Sequence, residues 1–143
     1  MMKAMKFGVV ALALVGLVGC AGGGGGGGGK KMSDQDMVKQ VVDQAMASLK
    51  ASDIDGMTAN YAEDFKSDQG GGKKEMIEFL KGAKEQGFLD GIKIDTSKMV
   101  IAVDGTKATA KPINLEGSFG ALTVELTLEK RDGKWWVTYQ AQF

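Results

Sequence analysis

The residue types that most often carry chemistry are scarce in this chain of 143 residues. There is no histidine, and the one cysteine is Cys20. Without histidine, Ser-His and Cys-His arrangements are excluded, and so is the commonest zinc ligand. An enzyme built on this chain would have to work with carboxylates, Tyr or Lys. The spacing that could bring such groups together is Tyr61 and Asp64, three residues apart on an expected helix, with Tyr139 as a donor from across the fold. Asp53 and Asp55 lack the further oxygen ligands and distal Glu of a calcium loop, so they read as helix capping. Gly70-Gly71-Gly72-Lys73-Lys74 fails the spacing of a phosphate loop, and Lys74 stands where Ser or Thr would meet magnesium. No metal or cofactor is expected.

The elements that must position these groups begin after a segment of another kind. Lys3 and Lys6 precede an apolar run from Phe7 to Val18, too short for a membrane span and right for the core of an export signal. The run ends in Leu17-Val18-Gly19-Cys20, followed by Ala21 and the eight glycines Gly22–Gly29. This ending resembles the lipobox of bacterial lipoproteins. The resemblance implies cleavage between Gly19 and Cys20, acylation of the Cys20 sulfur (palmitate is the usual chain), and anchoring in the cell envelope. With Ala rather than Asp after the cysteine, it implies the periplasmic face of the outer membrane. The expected organisation is therefore a signal peptide over 1–19, a lipidated cysteine and polyglycine tether over 20–32, and one domain over 33–143. Two or three acyl chains anchor stably where one does not. Eight glycines form a coil spanning roughly 16 Å root-mean-square.

Lys+Arg and Asp+Glu number 18 each. Loss of Lys3 and Lys6 with the signal leaves a small acidic excess and no basic cluster, so nucleic acid is not an expected partner.

Within 33–143, Ser33-Asp34-Gln35-Asp36 has the form of an N-cap with an acidic first turn. Met37, Val38, Val41, Val42, Ala45, Met46 and Leu49 follow at helical spacing, and Lys50 suits the helix end. A second helix is expected from Asp53, with Ile54, Met57, Tyr61 and Phe65 on one face. A third follows Gly70–Gly72 and carries Met76, Ile77, Phe79, Leu80 and Ala83. From Gly91 the period changes to two. Ile92 and Ile94, Met99 to Val103, Lys107 to Leu115, Leu122 to Leu128, and Trp135 to Phe143 read as strands joined at Asp104-Gly105, Gly117–Gly120 and Asp132-Gly133. Pro112 marks an edge or a bulge. Strict alternation in the last strand places Trp135, Val137, Tyr139, Ala141 and Phe143 on the core face, and Trp136, Thr138, Gln140 and Gln142 on the outer one.

The expected fold class is α+β, three helices on one face of a curved antiparallel sheet of about four strands. Tyr61-Ala62-Glu63-Asp64-Phe65, Gly72 to Phe79, and Asp132-Gly133-Lys134-Trp135-Trp136-Val137 resemble the nuclear transport factor 2-like superfamily over Ser33 to Phe143. That resemblance implies a cone-shaped sheet around the helices and a pocket between them, here lined by Met57, Tyr61, Phe65, Phe79, Leu126, Trp135 and Tyr139. The alternative is that these residues fill a closed core. It also implies homodimer pairing through the outer face, where Trp136, Thr138 and Gln140 would sit.

Three functions follow as expectations. One is a membrane-anchored accessory module without catalysis, holding a small apolar ligand. Another is an enzyme resembling the ketosteroid isomerases or polyketide cyclases, with Asp64 as acid/base and Tyr61 or Tyr139 as donor; in the alternative, Asp64 is a solvated helix end. The third is a structural envelope protein that pairs through its outer face.

Overall fold

The computed structural model describes residues 32–143, and Cys20, its signal and the glycine run lie outside them. The first helix, α1, spans Asp34–Lys50. It starts where the Ser33 Oγ accepts the Asp36 amide at 3.0 Å, satisfying a donor that the first turn leaves without a partner. Its buried face is Val38, Val42, Ala45, Met46 and Leu49, the stripe expected from helical spacing. Asp34 then ties α1 to the sheet, because its Oδ1 accepts from Lys130 Nζ at 2.8 Å and from the buried Trp135 indole at 3.3 Å.

The second helix, α2, is short, Ile54–Thr58, capped by Asp53 Oδ1 accepting the Gly56 amide at 3.0 Å. The expectation that it continues through Tyr61 and Phe65 is corrected, because the chain leaves the helix and forms strand β1, Tyr61–Ser67. Spacing by four fits one helix face and also one strand face, so the Tyr61–Phe65 pair could not decide between them. Pairing decides it. The Val137 amide donates to the Asn60 carbonyl at 2.8 Å, and β1 runs parallel to the last strand, with Tyr61 beside Val137 and Ser67 beside Gln140.

Helix α3 covers Lys73–Glu85, with the Glu75 carboxylate accepting the Gly72 amide at 2.9 Å at its start. The remaining strands are β2 (Lys93–Asp95), β3 (Val100–Asp104), β4 (Lys107–Gly117), β5 (Gly120–Arg131) and β6 (Lys134–Gln142). The sheet order is β1-β6-β5-β4-β2, with β3 also paired to β4. Among the described residues there are thus six strands with three helices, where about four strands were expected. The unexpected strand is β1; β2 to β6 fall on the five runs read as strands between Ile92 and Phe143. At the β5–β6 turn Asp132 and Gly133 both take positive φ, 52° and 79°, as a tight hairpin whose twist matches the sheet requires.

Two irregularities shape the inner face. On β4, Ala110 lies opposite Leu126 and Ile113 opposite Val124, so Lys111 and Pro112 together face one residue, Glu125. This bulge moves the buried set from Ala108 and Ala110 to Ile113 and Leu115, and it confirms the reading of Pro112. On β6, Val137 lies opposite Leu128 and Tyr139 opposite Thr127, which leaves Thr138 as the extra residue. Past Thr138 the alternation reverses. The expected facing of Tyr139 and Gln140 is therefore corrected: Tyr139 is 40% exposed and Gln140 is buried at 5%.

Candidate functional site

An apolar cavity of about 210 Å³ lies between the helices and the inner sheet face. Met46 and Leu49 of α1, Met57 of α2, and Met76, Leu80 and Ala83 of α3 form its helical wall. Ile113 and Leu115 of β4 with Leu122 and Val124 of β5 form its floor, and Leu89 and Ile92 close one end. The β4 bulge puts Ile113 and Leu115 there, since unbroken alternation from Ala108 would have turned them outward. Phe79, Phe88 and Phe119 also line the cavity, yet they are 66%, 39% and 38% exposed, so they stand where it meets solvent. Phe119 is held by a close approach at Gly117, where a Cβ would fall 2.7 Å from the Phe119 ring.

Two polar side chains interrupt this lining, Gln140 and Gln142 of β6. Gln140 lies in a cross-strand row with Ile101, Ala110 and Leu126, and Ser67 of β1 is on its other side. Its Oε1 accepts the Tyr61 hydroxyl at 3.3 Å. Tyr61 is fully buried, and burial pushes its phenol up from the ordinary value, so the hydroxyl keeps its proton and donates. Gln142 is part-exposed. It also lines a neighbouring hollow of about 270 Å³ that reaches the loop Ser67–Gly72 and shares Met76 and Phe79 with the cavity.

Of the seven expected pocket residues, Met57 and Phe79 line the cavity. Tyr61, Phe65, Leu126 and Trp135 instead fill closed core at 0–2% exposure, with the Tyr61 and Phe65 rings 4.8 Å apart. Tyr139 is on the opposite side of the sheet, carried there by the Thr138 bulge.

Asp64 does not meet Tyr61 across a pocket. It sits on the exposed part of β1, and its two oxygens accept from Arg131 Nη1 and Nη2 at 2.9 and 3.0 Å. These bonds hold its carboxyl below the ordinary value of 3.8. A general base working near neutral pH needs the opposite shift, which comes from an apolar setting. The acid/base expectation for Asp64 is corrected on placement: it is an ion-pair partner off the cavity. Among the described residues no group of three or more His, Cys, Asp or Glu gathers in a way that could hold a metal.

Of the outer-face residues, Trp136 remains in the outer row with Asp104, Lys107 and Glu129. Thr138 is the bulged residue, and Gln140 is turned inward. Tyr139 takes an outer place in the next row, with Ala102, Thr109 and Thr127. Gln140 as a cavity residue was not visible in sequence, because glutamine carries no apolar signal to reveal the change of phase.

No family model and no curated protein matches the chain in sequence. Solved structures do match it in shape. A nuclear transport factor 2-like protein of unknown function from Pseudomonas putida KT2440 superposes with a TM-score of 0.66 at 17% identity, over 78% of this chain and 88% of that one. A protein of unknown function with a cystatin-like fold from Nostoc punctiforme gives 0.63 at 18% identity, over 79% and 93%. A candidate ketosteroid isomerase from Shewanella frigidimarina gives 0.61 at 20% identity, over 73% and 92%. At such identities the likeness concerns the fold, and the fold of residues 33–143 is the α+β nuclear transport factor 2-like, or cystatin-like, fold.

Proposed function

We propose that this chain is an exported lipoprotein whose folded domain is a non-catalytic binding module, and that its cavity takes a small apolar ligand. The observation that carries the binding reading is the lining itself. Aliphatic and methionine side chains enclose about 210 Å³, and three exposed phenylalanines stand at the opening. Exposed apolar side chains grouped at the mouth of a groove, unlike ones scattered singly, mark a binding site. The volume lies below the roughly 300–1,000 Å³ of sites for drug-sized molecules, so the ligand is of one- or two-ring size. Support for the anchor comes from Leu17-Val18-Gly19-Cys20 and the apolar run before it. Lipid on Cys20 and the tether Gly22–Gly29 would place the cavity beside a bilayer at the periplasmic face of the outer membrane.

Full-length protein extracted from cell membranes tests both parts. Intact mass is expected to show acyl chains on Cys20, and Cys20→Ser is expected to leave the membrane fraction; a native chain without acyl groups, or a variant retained as firmly as the native chain, contradicts the anchor. Unfolding the purified protein is expected to release a small apolar compound that Ala83→Phe, which fills the cavity, does not carry. Equal release from both contradicts the pocket.

A second reading, homodimer formation through the outer sheet face, is favoured by the bulge that adds Tyr139 to the face carrying Trp136. Val100 and Phe143, which with Thr109 and Lys111 line a shallow hollow there, are 64% and 76% exposed. Light scattering is expected to give twice the chain mass, falling to one chain in Trp136→Ala; an unchanged mass contradicts it.

A further inference from the structure

We infer that the cavity selects apolar molecules bearing a hydrogen-bond acceptor, a carbonyl above all, and that the side-chain amide of Gln140 is the group that selects them. This rests on the ligand-binding reading above and adds the class of ligand. Gln140 is more than nine-tenths buried and lines the cavity. Its acceptor is already engaged, since Oε1 takes the Tyr61 hydroxyl. Among the described residues its Nε2 has no hydrogen-bond partner, yet no buried side-chain nitrogen or oxygen is left sealed without one. The amide nitrogen is therefore not sealed in core, and the open space that its side chain lines is the cavity.

Chemistry sets what can sit there. An amide donor in an otherwise apolar wall loses water when the cavity fills, and the loss is offset only if the incoming molecule accepts a hydrogen bond. A hydrocarbon leaves the donor stranded. A ketone, aldehyde or ester oxygen meets it. An ammonium group would place donor against donor, and the lining offers no carboxylate to compensate. Tyr61 is the positioning residue. Its hydroxyl, fixed in closed core, holds the Gln140 oxygen and so aims the nitrogen at the cavity. The other polar lining residue, Gln142, is part-exposed and stands where the cavity joins the neighbouring hollow, so it meets water in either state.

The test is a matched pair of probes, 1-indanone and indane, which share a bicyclic frame and differ by one carbonyl oxygen. Dissociation constants are read by amide NMR titration of the whole mature chain. One net hydrogen bond corresponds to about a fivefold preference for indanone. The Gln140 side-chain N–H signals are expected to move further downfield with indanone than with indane, as a new hydrogen bond requires, a readout that needs no variant. Gln140→Leu and Gln140→Met should each abolish the preference or reverse it toward indane, whose frame has no carbonyl to strand, while Gln44→Ala, on the exposed side of α1, keeps it. Equal affinity in the unaltered chain, or a preference that survives both Gln140 variants, overturns the assignment and leaves the pocket standing. If neither probe binds at a saturable site, the pocket reading itself falls.

Discussion

At the scale of single residues, Gln140 and Tyr61 form a buried polar pair in a row of aliphatic side chains. Such a pair is stable only while each polar atom has a partner or reaches open space. Tyr61→Phe removes the hydroxyl and leaves Gln140 Oε1 unmatched, which is expected to cost about 1 kcal/mol in urea unfolding. The same variant frees the amide to turn, so its preference for indanone over indane should narrow even with the fold intact. A loss of stability with the preference unchanged would make the bond structural only. Asp64 contrasts with this pair. Ion-paired on the surface, it shows how a Tyr–Asp spacing suggestive in one dimension separates once Tyr61 turns into the core and Asp64 toward Arg131.

At the scale of elements, the two bulges explain which parts of the site could be read from the chain. On β4 the change of phase is written in the residues, because Ala108 and Ala110 are followed by Ile113 and Leu115 across Pro112. Proline cannot donate to the ladder, so a bulge there is legible. On β6 the same device is silent. The residues turned inward after Thr138 are Gln140 and Gln142, and those turned outward include Tyr139 and Phe143. Hydrophobic alternation then points the wrong way, since tertiary pairing with β5 and β1 outweighs the local pattern. Helix α1 lay within reach because its cap, first-turn acids and stripe agree with one another. The start of α2 at its Asp53 cap was legible too, whereas its early end and the strand β1 were not, because four-residue spacing serves either period. The β6 bulge yields a direct expectation. Tyr139→Ala, assayed by urea unfolding at dilution below any pairing, should change stability by only about 0.5 kcal/mol, as an exposed residue does. Val137→Ala on the core face should cost roughly 1.5–3 kcal/mol. A penalty of several kcal/mol at Tyr139 would return it to the core.

At the scale of the whole molecule, the absence of histidine governs the response to pH. Four carboxylates are held below their ordinary values. Asp34 is lowered chiefly by the Lys130 hydrogen bond, Asp64 by Arg131, Glu75 by backbone amides of its own residue and Gly72, and Asp95 by Ser97. Between the folded and unfolded values the unfolded chain binds more protons, so falling pH favours unfolding there. The thermal midpoint is therefore expected to stay level from about pH 5.5 to 7.5 and to fall once the pH passes below the ordinary values of 3.8 for Asp and 4.5 for Glu. A step near pH 6.5 would require a titrating group this domain lacks. A site without such a group also binds a neutral ligand evenly across that range, as a carbonyl compound held by an amide would be. The cavity, the amide within it and the aromatic opening are where the proposed neutral ligand would sit, on a fold shared with a solved structure at 17% identity.

The claim beneath all of this is that the space between helices and sheet admits a ligand, and amide NMR titration with indane alone addresses it most directly. The account predicts saturable shifts concentrated at Met57, Leu80, Leu89, Ile113 and Val124, with the outer face around Trp136 unmoved. Shifts that never saturate, or that gather on the outer face instead, would contradict it.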